Sequence, residues 1–207
     1  MSCSRFNAVI RRALAFGPAL VALCLVSAPV AQAAPASQPE MPLEERIQQC
    51  GGCHGEDGNS KMEKIPSLAG QPEFFMQNQL VLMREGVRPI EAMAPFVKGL
   101  TDGEIVALAK HFSGLEPKPS DEPVDANLAK RGAELAVRLR CASCHLPTLA
   151  GQQQMPRLAK QRIDYTFEAL KAFRDDKRSG ADTIMSATVY GASDAELMAL
   201  SHYAASR

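Results

Sequence analysis

The stretch CGGCHGEDGNS at residues 50–60 contains the pattern Cys-x-x-Cys-His, and CASCHLPTLAG at residues 141–151 contains it again. The chain has six cysteines, and these two stretches hold four of them. The other two, Cys3 and Cys24, lie in an N-terminal segment of different composition. The chemistry of the repeated pattern therefore decides which fold and which function the sequence predicts.

Cys-x-x-Cys-His is the attachment sequence of c-type haem. At this spacing two thiols can reach the two vinyl groups of a porphyrin and form thioethers, and the histidine that follows can bind the iron from the same side. A haem held in this way also supplies apolar core, which small domains otherwise lack because they bury little surface for their length. The two motifs predict two covalently bound haem c groups in one chain.

Three other interpretations of the motifs are a structural zinc site, a thioredoxin-like redox pair and coincidence. A zinc site needs four ligands, whereas each half of the chain offers two cysteines and one motif histidine. A redox pair belongs to an α/β fold, and the sequence shows no strand alternation. An oxidising compartment could also join the cysteines as disulfides, but the histidine after each pair favours haem.

Residues 1–33 have the anatomy of a secretory signal peptide. A basic start precedes the apolar run ALAFGPALVALCLVSAPV, and the small residues AQA follow at 31–33. The run is short for a membrane span, which needs about 20 apolar residues, so we favour cleavage over a retained anchor. We expect an exported, periplasmic protein that does not span the membrane once it is mature.

The rest of the chain is predicted to be all-α and to consist of two halves that repeat each other. PSLAGQPEFFMQNQLVLMREG follows the first motif, and PRLAKQRIDYTFEALKAFRDD follows the second. Each half closes with a capping box, TDGE at 101–104 and SDAE at 193–196, which marks the start of a helix. The proline-rich stretch GLEPKPSDEPV predicts an extended, exposed linker between the halves. We predict a first domain at 34–115, a linker at 116–124 and a second domain at 125–207.

An electron-carrying haem needs a second axial ligand, and methionine in that place keeps the iron six-coordinate and raises its reduction potential. Met93 lies 39 residues after His54 and eight before the cap residue of its half. Met185 lies 40 residues after His145 and eight before the corresponding cap. This shared spacing predicts Met93 and Met185 as distal ligands. Five other methionines are assigned to core helices or to loops: Met62, Met76, Met83, Met155 and Met198.

Each haem-binding histidine needs a hydrogen-bond partner to fix its ring. Pro66 lies 12 residues after His54, and Pro156 lies 11 after His145, so their carbonyl groups are candidates. The alternative is that these prolines only begin helices. The two remaining histidines do not occupy equivalent positions in the repeat, and we assign them to the surface or an interface: His111 and His202.

The charge balance excludes one class of partner. The chain has 23 basic and 23 acidic residues, so its net charge is close to zero. Nucleic-acid binding rests on an excess of positive charge, and the sequence gives no reason to expect a nucleic-acid partner.

The sequence resembles the dihaem cytochrome c4 family over nearly the whole segment after residue 33. The resemblance rests on the two motifs and on PSLAGQ, MAPFVKGLTDGEI, PRLAKQ, FRDDKRSG and IMSATVYGASDAEL. It implies two tandem class I cytochrome c domains, each wrapped around one haem. One departure is CHLPTLAG, where the second motif lacks the HGxxG form of the first. The implied site residues are Cys50, Cys53, Cys141 and Cys144 as thioether donors, His54 and His145 as proximal ligands, and Met93 and Met185 as distal ligands.

The resemblance implies a periplasmic carrier of single electrons and not an enzyme. Its partners would be redox proteins such as a terminal oxidase, a cytochrome bc1-type complex or a periplasmic dehydrogenase. The alternative is the cytochrome subunit of a periplasmic dehydrogenase, such as a sulfide-oxidising flavocytochrome c. A catalytic dihaem cytochrome is a third hypothesis, but it needs an open iron site, and two matched methionines argue against one.

Overall fold

The computed structural model of the protein describes residues 41–180 and 183–207, and the predicted signal peptide at residues 1–33 lies outside them. Within these ranges the chain is helical and forms no β-structure beyond one isolated bridge between Gln152 and Met155. No helix in the same ranges is long and apolar enough to cross a membrane. The helices are α1 (Leu43–His54), α2 (Glu73–Arg84), α3 (Ala94–Val97), α4 (Asp102–Ser113), α5 (Ala126–Arg138), α6 (Ala142–His145), α7 (Ile163–Arg174), α8 (Thr183–Val189) and α9 (Asp194–Ala205).

The first half contains α1 to α4 and packs around the capped helix α4. The hydroxyl of Thr101 accepts the backbone N–H of Glu104, and the carboxylate of Glu104 accepts the backbone N–H of Thr101, so the predicted capping box forms. Helix α4 then buries Ile105, Leu108 and Phe112 against apolar side chains of α1 and α2. The apolar face of α4 therefore provides the core of this half.

The second half contains α5 to α9 and repeats the arrangement. Ser193 and Glu196 form the second predicted capping box at the start of α9. Helix α9 buries Leu197 and Leu200 in a core that it shares with α5, α7 and α8. Helix α5 has its own cap, because the carboxylate of Asp125 accepts two backbone N–H groups of its first turn.

Helices α5 and α9 cross at Gly132. A Cβ at this position would overlap the backbone of Ala199 and lie 2.7 Å from the Cβ of Tyr203. Only glycine lets the two helix backbones approach this closely. The crossing fixes the entry helix of the second motif against the helix that closes the domain.

Matched residues of the two halves make matched contacts. Arg84 donates to the carbonyl of Leu100 at 3.0 Å, and Arg174 donates to the carbonyl of Ala192 at 3.1 Å. Each arginine thus ties the end of α2 or α7 to the residue before a capping box. The repeat detected in the sequence is therefore a repeat of contacts as well as of residues.

The segment at 114–124 joins the two halves and contacts both. On the first half, Asn59 donates to the carbonyl of Glu116 at 3.1 Å and accepts the N–H of Lys118 at 2.8 Å. On the second half, the carboxylate of Glu122 accepts the N–H groups of Ile163 and Asp164, at 2.7 and 2.9 Å, and so caps α7. Hydrogen bonds hold this proline-rich segment to both halves, although most of its residues are exposed.

Candidate haem-binding cavity

A cavity of about 640 Å³ extends through both halves of the protein and is lined mainly by apolar side chains. This volume falls within the usual range for sites that bind organic cofactors, roughly 300–1,000 Å³. Residues of both motifs border it, so the two motifs open onto one continuous space. All eight site residues predicted from the sequence line this cavity: Cys50, Cys53, His54, Met93, Cys141, Cys144, His145 and Met185.

The first motif forms the end of α1. Cys50 and Cys53 lie in its last turns as free thiols, and His54 is its final residue. Gly55 then turns the chain away at φ 87°, where a Cβ would overlap the backbone of Asn59. The glycine lets the chain leave the helix immediately after the histidine.

The second motif makes the same turn with a different residue. Helix α6 ends at His145, and Leu146 follows at φ 68° and ψ 157°. This region of backbone space is essentially reserved for glycine, and a non-glycine residue there costs about 1–3 kcal/mol. The departure from the HGxxG form therefore changes the residue after the histidine but keeps a similar backbone conformation. Cys141 and Cys144 have free thiols and line the cavity.

The motif histidines are oriented by the predicted prolines. Nδ1 of His54 donates to the carbonyl of Pro66 at 2.8 Å, and Nδ1 of His145 donates to the carbonyl of Pro156 at 2.9 Å. This confirms the prediction that proline carbonyls accept these bonds. Because Nδ1 carries the proton, Nε2 of each ring has a free lone pair, which is the form that binds a metal.

The electrostatics of both rings favour the neutral imidazole. Burial lowers the pKa of His54 and of His145, although the bond to each proline carbonyl acts in the opposite direction. Nε2 of His145 is buried and has no hydrogen-bond partner within the described residues. A buried nitrogen lone pair without a partner fits an axial ligand of haem iron.

Arg157 also fits a haem. Its side chain lines the cavity at 3% exposure, and its Nη1 donates to the carbonyl of Ala159. Its Nε and Nη2 groups have no partner in the part of the chain that the structure describes. Burial lowers the pKa of the guanidinium to about 10. A buried cation of this kind needs an anion, and the carboxylates of a porphyrin are such anions. No motif or spacing in the sequence marks Arg157 as a site residue.

Tyr165 lies between two further arginines on the cavity wall. Burial opposes ionisation of its phenol, but the guanidinium groups of Arg178 and Arg88 outweigh this effect and lower its pKa. In the sequence repeat Tyr165 corresponds to the aromatic Phe75 of the first half. The available signal was that Arg88 and Arg178 each lie four residues after a matched arginine.

The two predicted distal methionines border the cavity from different local structures. Met93 precedes α3, whereas Met185 lies within α8. Met76, Met83 and Met155 also line the cavity, so the position on its wall does not by itself select the ligand. The shared spacing remains the basis for choosing Met93 and Met185.

The two other histidines do not line the cavity. Nδ1 of His202 accepts the backbone N–H of Asp125 at 3.1 Å, and this bond holds the start of α5 against α9. His111 is half-buried in α4, with its ring edge against Phe112. Both serve helix packing.

Comparison with known proteins matches each half separately. A family model described as cytochrome c matches residues 129–206, and one described as cytochrome c oxidase, cbb3-type, subunit III matches residues 44–111.

The zinc alternative finds no support, because the described residues contain no group of three or more His, Cys, Asp or Glu side chains placed to hold a metal ion.

Longer matches cover most of the chain. Cytochrome c4 of Pseudomonas aeruginosa is 31% identical over 74% of this chain and 81% of its own length. The thiosulfate dehydrogenase electron acceptor of Thiomonas intermedia is 32% identical over 84% of this chain and 85% of its own. The crystal structure of reduced recombinant cytochrome c4 from Pseudomonas stutzeri matches with a TM-score of 0.69 and 30% identity, over 79% of this chain and 97% of that one.

These matches confirm the predicted all-α fold, the two tandem class I cytochrome c domains and the two covalently bound haem c groups. The cavity, the free thiols and the unpartnered buried groups of His145 and Arg157 are consistent with that cofactor. The protein is a dihaem electron-transfer cytochrome, and it belongs to the cytochrome c4 family.

Proposed function

We propose that the protein is a periplasmic carrier that moves single electrons between respiratory or dehydrogenase partners, and that it is not an enzyme. The observation that supports the proposal is that both motifs border one continuous cavity, which would bring two haems close together in one protein. An equilibrium redox titration followed by haem absorption tests it. Two one-electron steps per chain are expected, and a protein that accepts only one electron contradicts the proposal.

In this proposal His54 and Met93 would hold the iron of one haem, and His145 and Met185 would hold the iron of the other. Nε2 of each histidine would bind the iron, while Nδ1 keeps its proton and donates it in a hydrogen bond to the proline carbonyl. Each thioether would favour ferrous iron over ferric iron, and haem, when bound, would supply the one-electron couple. The apolar walls exclude water, which raises the reduction potential further.

The four cysteines fix the haems covalently, two for each haem. Cys50 and Cys141 are half-buried, whereas Cys53 and Cys144 are exposed. Mass spectrometry of the mature protein tests the attachment, because Cys53→Ala or Cys144→Ala should leave one haem bound by a single thioether.

A closed iron site distinguishes a carrier from a catalytic cytochrome. With methionine on the second axial position of each iron, cyanide and carbon monoxide should bind slowly and weakly at neutral pH. Rapid stoichiometric binding at either haem in the native protein would favour the catalytic alternative.

The donor is expected to be a periplasmic dehydrogenase. The Thiomonas relative is named as the electron acceptor of a thiosulfate dehydrogenase, and this favours a thiosulfate-oxidising partner over the sulfide-oxidising flavocytochrome of the alternative hypothesis. Reduction by each purified dehydrogenase with its substrate, measured by stopped flow, decides between them. A stable complex with a flavoprotein after purification would support the subunit alternative.

The proposed location rests on the N-terminal sequence. The segment at 1–33 is the expected signal peptide, and cleavage after Ala33 would release a mature chain that begins at Ala34. N-terminal sequencing of haem-containing protein from the periplasmic fraction tests this. Haem-containing protein that keeps residues 1–33 and sediments with membranes would instead support the retained anchor.

A further inference from the structure

Two short loops meet where the halves of the protein join, and each carries a buried glutamine. Gln71 ends the loop that follows Pro66 and is 5% exposed, and Gln161 ends the loop that follows Pro156 and is 3% exposed. The loops repeat each other in sequence as PSLAGQ and PRLAKQ. Each glutamine reaches across to the backbone of the other half.

The contacts across this junction are reciprocal. Oε1 of Gln161 accepts the backbone N–H of Ser67 at 2.8 Å, and its Nε2 donates to the carbonyl of Ser67 at 2.9 Å. Oε1 of Gln71 accepts the backbone N–H of Arg157 at 3.0 Å, and its Nε2 donates to the carbonyl of Arg157 at 2.9 Å. Oε1 of Gln161 also accepts the N–H of Arg162 at 3.0 Å.

The peptide groups that the glutamines bind are also the groups that bind the histidines. The N–H of Ser67 and the carbonyl of Pro66 belong to one peptide unit, and that carbonyl accepts Nδ1–H of His54. The N–H of Arg157 shares a peptide unit with the carbonyl of Pro156, which accepts Nδ1–H of His145. A chain of two hydrogen bonds thus leads from each histidine, through one peptide, to a glutamine of the opposite half.

Hydrogen bonds in such a chain strengthen one another, because a bond to the N–H of an amide makes its carbonyl oxygen a better acceptor. Ser67 and Arg157 are 2% and 3% exposed, so water does not compete for their N–H groups. A better acceptor draws the Nδ1 proton further from the imidazole. The ring then gives more electron density to the iron and stabilises the ferric state.

We propose that Gln161 sets the reduction potential of the haem on His54, and that Gln71 sets the potential of the haem on His145. Each glutamine is a positioning residue that acts through the proline peptide on the proximal ligand of the other half. The proposal rests on the axial roles given to His54 and His145 under the proposed function. It makes the junction between the halves part of both redox centres.

Leucine substitutions in the haem-loaded protein test the proposal. Gln161→Leu removes the acceptor of the Ser67 N–H, so the midpoint potential of the His54 haem should rise while that of the His145 haem stays unchanged. In Gln71→Leu the midpoint potential of the His145 haem should rise while that of the His54 haem stays unchanged. The expected change is roughly a threefold shift in the ferric-to-ferrous ratio at fixed electrode potential, or about 30 mV for one electron.

Proton NMR of ferric protein labelled with ¹⁵N-histidine assigns each potential to its haem, because resonances of an axial histidine carry large hyperfine shifts. The Nδ1–H resonance of His54 should move in Gln161→Leu, and that of His145 should move in Gln71→Leu. Gln77→Leu is the matched control, since Gln77 bonds to Glu73 within α2 and should leave both potentials unchanged.

Three outcomes would overturn the proposal: each variant shifting the haem of its own half, both haems shifting together, or neither shifting while both remain low-spin. A general loosening of the junction would shift both. If the histidine resonances carry no hyperfine shift, the axial assignment itself fails. That result is distinct from unchanged potentials in a protein whose histidines are shown to bind iron.

Discussion

The side-chain amide of Gln71 binds both backbone polar groups of Arg157, which lies 86 residues further along the chain. The backbone of Arg157 is thereby fixed to the first half, while its guanidinium lies on the cavity wall of the second. Two of its N–H-bearing nitrogens have no partner within the described residues. This arrangement leads to the first prediction.

Arg157→Leu should destabilise the haem-loaded protein, because it leaves a buried haem carboxylate without its cation. Loss of one partner of a buried pair costs about 3–5 kcal/mol of unfolding free energy. Urea unfolding of the ferric protein measures it. The potential of one haem should also fall, since a nearby positive charge favours ferrous iron.

Arg138→Leu is the control for Arg157→Leu. The Arg138 side chain is 65% exposed and pairs with Glu196 at the surface, where such a pair contributes about 1 kcal/mol or less. Equal effects of the two substitutions would contradict a buried ion pair at Arg157.

Gly132→Ala should destabilise the second half. The added Cβ overlaps the backbone of Ala199, so α5 and α9 must separate, and overpacking of this kind costs about 3 kcal/mol. Gly103→Ala is the matched control, because its added Cβ meets only the Thr101 hydroxyl, at 3.9 Å. That change should be neutral or stabilise by up to about 1 kcal/mol. Thermal unfolding of the two variants compares them, and similar melting temperatures would argue against the close helix crossing.

Acid should weaken the contact between the segment at 114–124 and the first half. Lys118, with the backbone N–H of Asn59, lowers the pKa of Asp57 from 3.8 to about 2. A carboxylate with a lowered pKa stabilises the folded state above its unfolded pKa, and this stabilisation is lost as the pH falls from about 4 through about 2. Wild type should therefore be more stable than Asp57→Asn at pH 7, and the difference should shrink below pH 4 and vanish below about pH 2. A difference in urea midpoint that is as large at pH 2 as at pH 7 would contradict the assignment.

Local signals in the sequence were sufficient to predict several parts of the structure. The capping boxes at Thr101 and Ser193 form as expected, since a cap depends on residues three positions apart. The histidine bonds to Pro66 and Pro156 also follow from short separations within one loop.

Contacts between distant residues were not predictable in this way. The backbone of Arg157 is bound by Gln71, 86 residues earlier. The cap of α7 comes from Glu122, about 40 residues earlier. Neither contact follows from a periodicity or a short spacing in the sequence. The repeated glutamine of PSLAGQ and PRLAKQ was the one available sign of the junction, and its role became clear only when both loops were placed together.

The central claim is that each iron has one histidine and one methionine ligand, and absorption spectroscopy of methionine variants tests it most directly. The far-red band of Met-ligated ferric haem should halve in Met93→Ala and in Met185→Ala, and it should vanish in the double variant. The potential of each opened haem should fall, because a thioether stabilises ferrous iron. The controls are Met83→Ala and Met198→Ala, which should keep the full band. Met83 lines the cavity, whereas Met198 does not. A band that survives in the Met93/Met185 double variant, or that disappears in a folded control, would contradict the account.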